Sequence, residues 1–349
     1  MKKEKSGCAR IFMMIVCIVL GLILAAMITI TVAGTAVVNH FLNMVNRAED
    51  LPQETLSQEQ IEELFNEETV APEDDTAPVV KEEDVDWGQQ DGTVIETSDN
   101  IVNILLIGQD ARPGEGRSRS DSMILVTFNK AQKTITMTSF LRDMYVKIPG
   151  YGDNKLNATY VLGGMELLND TLEQNFGVQV DGNVEVDFSH FADVIDLLGG
   201  VDMELRHDEA AYINAYTGRN ELGSGLQHLD GEQALYYSRI RHLDADADFS
   251  RTNRQRKVIN ALIEQFRSTK LTTLLGLLDD LLPMITTDLT NKEMIQLAKD
   301  LFPMLADCTI VSQRVPADGA YYFANIKSMS CIVADMDAAR ELLKQTMSE

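Results

Sequence analysis

Basic side chains are scarce in this chain. Its 349 residues carry 30 Lys and Arg against 54 Asp and Glu, a formal net charge of −24. That balance excludes a general DNA or RNA binder, which needs a basic face to displace counterions from phosphates. Cysteine is also sparse. There are four, with no C-x-x-C, so neither a zinc ribbon nor a thioredoxin-type redox site fits. The sequence has no G-x-x-x-x-G-K-[ST], no G-x-S-x-G and no H-E-x-x-H. This removes the P-loop, the nucleophile elbow and the zincin helix. Its five histidines are scattered. His242 beside Arg241 reads as a rim residue, and His228 lies in a loop ahead of Asp230. No internal repeat is visible.

What is present begins with an apolar run. Ile11–Val38 holds no charged residue, and about 20 apolar residues suffice to span a bilayer. Lys2, Lys3, Lys5 and Arg10 precede it, whereas Arg47 and a block of acids follow. Positive-inside logic makes residues 1–10 a cytoplasmic tail, residues 11–38 a transmembrane helix and all that follows extracytoplasmic. A cleaved signal peptide is the rival reading, with Gly34-Thr35-Ala36 as its small-residue site. Its apolar core is normally about 7–15 residues, shorter than this run. Both readings place the main domain outside the cell.

Residues 39–99 read as an acidic, largely disordered linker. Glu49 to Asp86 holds most of the surplus acid, with Lys81 as its only base and Pro52, Pro72 and Pro78 within it. Such a stretch buries too little apolar surface to offset its ordering entropy. Leu56–Phe65 has the pattern of a short amphipathic helix. For Cys308 and Cys331, each beside a β-rich run, a disulfide and two buried thiols both stand.

The folded domain is expected over residues 100–349. Ile101–Ile107 is a continuous apolar run and reads as a buried strand. Met123–Phe128 and Thr134–Ser139 read as strands joined by a turn at Asn129–Lys133. Asn157–Asn175 reads as a helix interrupted at Gly163-Gly164. Val184–Val186 is a strand, Ser189–Leu198 a helix, Val201–Leu205 a strand, and Asp230–Arg241 a helix with Asp230 as N-cap. Helices are expected over Asp248–Phe266, Leu271–Ile285, Asn291–Leu305 and Met336–Met347, with a strand at Thr309–Val315. Strands interleaved with helices give an α/β layered fold.

Three segments concentrate charge at element ends. The first is the loop after Ile107. Asp110 lies just past one strand and Asp121 just before the next, so the two carboxylates are able to converge on a hard cation such as magnesium, which keeps water and phosphate oxygens as its other ligands. Arg112, Arg117 and Arg119 lie in the same loop. The bland alternative is a solvated loop with surface ion pairs, each stabilising little. The second segment carries Arg142 at the end of a strand, with Lys155 and Asn157 soon after. The third carries Arg239 and Arg241, two apart, which share a face only if the helix has ended there. Asp248, Arg251, Arg254 and Gln255 follow, Arg251 sharing a helix face with Arg254 and Gln255. Five guanidinium groups between Arg239 and Arg256 in so acidic a chain favour bidentate binding of phosphate oxygens over a solvated helix face.

These residues together resemble the LytR-CpsA-Psr family. The matching pieces are Asn103-Ile104-Leu105-Leu106-Ile107-Gly108-Gln109-Asp110-Ala111-Arg112, Arg119-Ser120-Asp121, Leu141-Arg142-Asp143 and Ile148-Pro149-Gly150. Lys155-Leu156-Asn157-Ala158, Leu198-Gly199-Gly200-Val201 and Leu229-Asp230-Gly231-Glu232-Gln233-Ala234-Leu235 come next. Tyr237-Ser238-Arg239-Ile240-Arg241 and Asp248-Phe249-Ser250-Arg251-Thr252-Asn253-Arg254-Gln255 complete the set. The ordered set is specific, although each piece alone is weak. One departure is Leu141, where the family carries proline.

The resemblance implies a three-layer αβα sandwich around a mixed central sheet, behind one membrane helix and a linker. It implies a polyprenyl pyrophosphate lipid as donor, with its chain in an apolar tunnel. It also implies transfer of a phospho-glycopolymer (teichoic acid, capsule or another secondary wall polymer) to a peptidoglycan sugar hydroxyl. By position, Asp110 and Asp121 hold Mg2+ (or Mn2+), and Asp110, Asp121 and Arg142 are catalytic. Arg119, Arg142, Arg239, Arg241 and Gln255 grip the pyrophosphate. Lys155, Asn157, Asp248, Arg251 and Arg254 support them. A lipid pyrophosphate phosphatase would use the same residues with water as acceptor, and a non-catalytic lipid- or wall-binding protein would bind without turnover. A transcription regulator is disfavoured, because about ten residues face the cytoplasm.

Overall fold

The computed structural model describes residues 40–50, 56–66, 77–88, 93–109, 117–240, 277–305 and 308–348, together with residues 243, 254, 257, 258, 261 and 265. Among them no helix is long and apolar enough to cross a membrane, and the run Ile11–Val38 lies outside them. The chain divides into two compact units. One comprises Arg47–Val186, Thr286–Thr290 and Pro303–Glu349. The other comprises Met1–Asn46, Asp187–Ile285 and Asn291–Phe302.

A seven-stranded mixed sheet dominates. Its strands are β1 (Asn46–Arg47), β2 (Ile101–Gln109), β3 (Ser120–Asn129), β4 (Thr134–Phe140), β7 (Gly182–Asp187), β10 (Ile285–Thr287) and β11 (Thr309–Val315), in the order β1-β10-β7-β2-β3-β4-β11. β2, β3 and β4 form an antiparallel meander, and β11 runs parallel to β4 with Thr309 opposite Thr134 and Val315 opposite Phe140. β2 is buried along almost its whole length, which is why it reads as an unbroken apolar run rather than an alternating one. Asn103 is the polar exception. Its amide donates to the Gln179 carbonyl at 2.9 Å and its oxygen accepts from the Thr127 hydroxyl at 2.8 Å, so the buried group is satisfied.

Helices α2 (Ala158–Phe176) and α7 (Met336–Met347) pack on this unit. Leu168, Leu172 and Phe176 of α2 and Leu343 and Met347 of α7 join Leu105, Met123 and Phe140 of the sheet in one core. The expected interruption of α2 is present. Gly164 leaves the helix at φ 64°, ψ −149°, and a Cβ there would stand 2.4 Å from an Arg117 guanidinium nitrogen. Both the positive φ and the close approach call for glycine. Two hairpins flank the site described below. They are β5 (Tyr145–Ile148) with β6 (Gly152–Lys155), and β12 (Tyr321–Ile326) with β13 (Met329–Ala334).

The second unit contains α3 (Phe188–Leu197), the β8 (Val201–Leu205) and β9 (Gly225–Leu229) hairpin, α4 (His207–Thr217), α5 (Gly231–Arg239) and most of α6 (Asn291–Leu305). Val201, Leu205, Ile213, Leu229, Ala234, Tyr237 and Val258 bury together. Asp230 caps α5 as expected, accepting from the Gln233 N–H at 2.9 Å, while the Asp230 N–H donates to the Gln233 side-chain oxygen at 3.0 Å. At Gly231 an added Cβ would stand 2.1 Å from the Ala192 carbonyl oxygen, so α3 and α5 approach through glycine.

Two expectations are corrected, and one alternative left open is resolved. Part of the acidic linker is folded, beginning with the short amphipathic helix expected over Leu56–Phe65, which is present. Helix α1 (Gln58–Asn66) packs Ile61, Leu64 and Phe65 on the main core, and Ser57 and Gln60 cap it reciprocally at 3.2 and 2.9 Å. Val85 is buried, Trp87 stacks on Tyr145 at 5.9 Å, and Tyr145 donates to Glu82 at 2.7 Å. Scattered apolar residues within the acid run supply this docking, which mean composition hides. Next, the helix expected over Leu271–Ile285 ends early. Leu278–Leu281 gives way to a 3-10 turn at Leu282–Met284 and then to β10. Pro283 has no N–H and clashes with a preceding turn, so the helix stops there. Lastly, Cys308 and Cys331 are free thiols. Cys331 is buried in β13, where desolvation pushes its thiol up to about 12.

Candidate functional site

Three short segments meet at the C-terminal end of β4. The turn after β4 closes through the Met144 N–H and Leu141 carbonyl at 3.2 Å, so leucine serves where proline was expected. The Asn157 N–H donates to the Arg142 carbonyl at 3.1 Å, the Leu156 N–H to the Met144 carbonyl at 2.8 Å, and the Ser120 N–H to the Asn157 carbonyl at 3.3 Å. Main-chain bonds thus lace the start of β3, the turn after β4 and the entry to α2. Sequence distance disappears in this lacing, which sets four charged side chains in a row.

The row alternates in sign. Asp121 accepts from an Arg142 terminal nitrogen. The Arg142 Nε donates to Asp143 at 3.3 Å, and the Lys155 ammonium lies 3.2 Å from the other Asp143 oxygen. Lys155 is only 5% exposed, and a charge that deeply buried persists only when paired. Two neighbouring oxygens lack such partners. The Ser120 hydroxyl and the Asn157 side-chain carbonyl are buried and make no hydrogen bond among the described residues. Buried polar groups are nearly always satisfied, so these two mark where an incoming polar ligand or water belongs. Hard oxygen donors beside a carboxylate suit magnesium, which takes one or two carboxylates and completes its shell with water and phosphate oxygens. Among the described residues no group of three or more His, Cys, Asp or Glu converges on a metal position. Asp110, the other expected ligand, lies outside the described residues.

Gln109 and Ser118, which bracket Asp110 in sequence, are tied together through residues whose sequence pattern announces no role. Gln109, the last residue of β2, accepts from the Ser118 N–H at 3.0 Å and donates its amide to Glu185. Glu185 also accepts from the Tyr160 hydroxyl. Burial and the Glu185 carboxylate together hold that phenol far above its ordinary range. Glu185 sits on β7, 76 residues from Gln109, and no local pattern announces the pairing. Arg119 precedes β3, and its guanidinium donates to the Leu64 carbonyl of α1 at 3.4 Å.

In the second unit, Arg239 is the last residue of α5 and is exposed. Ile240 follows in an extended conformation at φ −60°, ψ 123°, so the helix has ended where sharing of a face by Arg239 and Arg241 requires it. Arg241, Asp248, Arg251 and Gln255 lie outside the described residues. Arg254 points inward. Its Nε donates to Glu209 at 2.9 Å, with the two side chains 3% and 2% exposed. A second guanidinium nitrogen reaches the Ile240 carbonyl at 3.5 Å. The other Glu209 oxygen accepts from the Arg206 N–H at 2.9 Å, closing the N-terminus of α4. Arg254 therefore supports the chain that leaves Arg239, and it is not itself an open phosphate fork. Glu209 escaped the sequence reading because its partner stands 45 residues away.

Known proteins share this arrangement of elements. The transferase TagT of Bacillus subtilis (strain 168), named as a polyisoprenyl-teichoic acid–peptidoglycan teichoic acid transferase, is 36% identical over 234 residues, covering 63% of this chain and 71% of TagT. A structure titled TagT bound to LI-WTA superposes with a TM-score of 0.54 at 30% identity, over 75% of this chain and 96% of that one. Another, titled LytR-CPS2A-psr family protein YwtF (TagT) with bound octaprenyl pyrophosphate lipid, gives a TM-score of 0.52 at 27% identity, over 75% of this chain and 98% of the other. The family model named LytR_cpsA_psr matches residues 63–346, beginning inside α1 and taking in both units, and with the ordered motifs it establishes that the chain belongs to the LytR-CpsA-Psr family.

Proposed function

We propose that this protein is a membrane-anchored, extracytoplasmic transferase that moves a phospho-glycopolymer from a polyprenyl pyrophosphate lipid to a sugar hydroxyl of peptidoglycan. On this reading the N-terminal run anchors the chain, and the domain is the αβα sandwich of its family. The observation that carries the proposal is Arg142, held between Asp121 and Asp143 beside the unpartnered oxygens of Ser120 and Asn157. It is supported by family membership and by the octaprenyl pyrophosphate in the YwtF (TagT) structure.

The reaction follows from phosphoryl-transfer chemistry. The acceptor oxygen attacks the phosphorus that carries the glycopolymer. A new P–O bond forms to the acceptor, the bond to the lipid-side phosphate breaks, and polyprenyl phosphate departs. Asp110 or Asp121 accepts the hydroxyl proton. Such transfer needs charge stabilisation and in-line positioning more than covalent help from the protein. Arg142 and Arg119, with Arg239, Arg241 and Gln255, hold the pyrophosphate oxygens. Lys155 fixes Asp143 and through it the Arg142 fork, while Asn157 holds the backbone of the same turn. Asp248 and Arg251 support the arginines nearest to them, and Arg254 does so from the interior. Mg2+ (or Mn2+), held by Asp110 and Asp121, would supply neutralisation of charge on the phosphates.

The test incubates the full chain in detergent with a lipid-pyrophosphate glycan, magnesium and peptidoglycan oligomers, and resolves products by mass. Peptidoglycan carrying a phosphodiester-linked glycan supports the reading. Free glycan phosphate as the only product refutes transfer in favour of hydrolysis.

A further inference from the structure

An aromatic ledge in the second unit has no part in the site described above. Tyr212 and Tyr216 are four residues apart on α4 and so share a face. Their ring centroids are 4.3 Å apart, and Tyr216 lies 5.6 Å from Tyr236 of α5, with interplanar angles of 33° and 32°. The ledge faces solvent: Tyr216 is 58% exposed, although Tyr212 packs partly against the core. Burial and a hydrogen bond with Tyr216 push the Tyr212 phenol up to about 12, with Arg239 acting in the opposite direction. Arg239 is thus within electrostatic reach of the ledge, and it lies one turn beyond Tyr236 on α5.

Tyr216 stands largely in water with the half-buried rings of Tyr212 and Tyr236 around it, an exposed aromatic surface that calls for a partner. Tyrosine offers an apolar ring face with a hydrogen-bonding hydroxyl at its edge. A pyranose ring has the complementary form, with C–H groups on its faces and hydroxyls around its rim. We propose that the Tyr212–Tyr216–Tyr236 ledge binds sugar rings of the acceptor glycan strand. This inference rests on the transferase reading for its choice of glycan. The donor is already held by its pyrophosphate and lipid chain. The acceptor brings neither, so its affinity must come from contacts to the sugars themselves. A ledge shared by two helices also suits a polymer that lies along a surface. Its position one turn from Arg239 puts the bound strand next to the residue assigned to the pyrophosphate.

The experiment uses the full chain in detergent with peptide-free peptidoglycan glycan chains as the probe, in the absence of donor. Tyr216→Ala and Tyr236→Ala are each expected to weaken glycan binding about tenfold. Acceptor KM should rise by a similar factor, with kcat at saturating acceptor and octaprenyl pyrophosphate binding retained. Tyr216→Trp, which keeps a stacking face, is expected to bind glycan as well as wild type. Unchanged glycan binding in both alanine variants overturns the ledge. So does a raised donor KM with acceptor binding intact, which would make it a donor surface. Because glycan binding is read without donor, a protein that binds through the ledge but forms no transfer product refutes the transferase reading and leaves the ledge standing. Normal transfer with an unmoved acceptor KM does the reverse.

Discussion

Removing one partner of the buried Glu209–Arg254 pair tests how the second unit holds its arginines. Both side chains are almost fully enclosed, and the pair geometry is close, at 2.9 Å. Glu209→Gln keeps a hydrogen-bond acceptor for the Arg206 N–H but removes the negative charge that faces the buried Arg254 guanidinium at 2.9 Å. Arg254→Met keeps volume and leaves the buried carboxylate with only the more distant Arg206 guanidinium, 3.8 Å away, as its cation. Breaking such a pair from one side costs about 3–5 kcal/mol. At about 2–4 °C per kcal/mol for a domain of this size, the melting temperature falls by roughly 6–20 °C. Replacing both partners with apolar residues, as in Glu209→Leu with Arg254→Met, should recover much of that loss, because neither ion then has to be desolvated. The assay is thermal unfolding of the three variants in one buffer, followed by octaprenyl pyrophosphate binding well below the lowest transition. Arg254 also reaches the Ile240 carbonyl, so the double variant is expected to recover stability yet bind the pyrophosphate less well than wild type. Melting temperatures within about 2 °C of wild type for both single variants would refute the argument, since that corresponds to no more than about 1 kcal/mol.

Two further outcomes follow. Arg142→Ala should abolish transfer, by at least about 100-fold on the scale of a lost charge-stabilising donor, with far-UV circular dichroism unchanged, while Arg142→Lys should fall between because it keeps the charge and loses the fork; wild-type rates in Arg142→Ala would defeat the site. Burial opposes it, but the Arg219 guanidinium and the Gln233 N–H hold the Asp230 carboxyl below its usual range, so its contribution is present above the ordinary carboxylate pKa and lost as pH falls through the depressed one; Asp230→Asn, which keeps the cap but not the charge, should melt slightly below wild type at pH 7, and the difference should vanish in acid, as parallel melting curves at the two pH values would show.

Much of the fold was legible because it depends on local pattern. The apolar run at Ile101–Ile107, the punctuation at Gly163-Gly164 and the Asp230 cap all appear where residue chemistry places them. So do the strand Thr309–Val315 and the helix Asn291–Leu305. Averaging concealed the docking of α1 and of Val85 and Trp87. Net charge describes a segment as a whole, but Ile61, Leu64 and Phe65 bury one side of it. The hairpins β5–β6 and β12–β13 were missed because each strand is short and draws its partners from register. Of the expected site, Asp121, Arg142, Lys155 and Asn157 come together in one unit. Arg254 shows the limit of counting guanidinium groups along a helix. Helix periodicity shows which residues share a face, but what that face meets depends on a residue 45 positions away.

The alternating row Asp121, Arg142, Asp143 and Lys155 bears on how the proposed site is preorganised. Within the row each charge has a neighbour of opposite sign. An arginine waiting alone in a partly buried cleft would carry an uncompensated desolvation cost. Here Asp121 and Asp143 hold the Arg142 fork in a defined orientation beforehand, which is the preorganisation that favours developing charge. On the proposed reading Asp121 has two competing duties, as partner of Arg142 and as ligand for a dication. When the carboxylate serves the cation, the guanidinium edge facing it becomes available to phosphate oxygens, and Asp143 with Lys155 keeps the fork aligned. Metal and pyrophosphate would then bind with positive coupling, each lowering the cost of the other. Asp121→Asn should weaken both pyrophosphate affinity and its dependence on magnesium, whereas Asp143→Asn should weaken affinity and leave the magnesium dependence in place. If both variants kept the wild-type magnesium dependence, Asp121 would be only the arginine's partner and the cation would be held elsewhere.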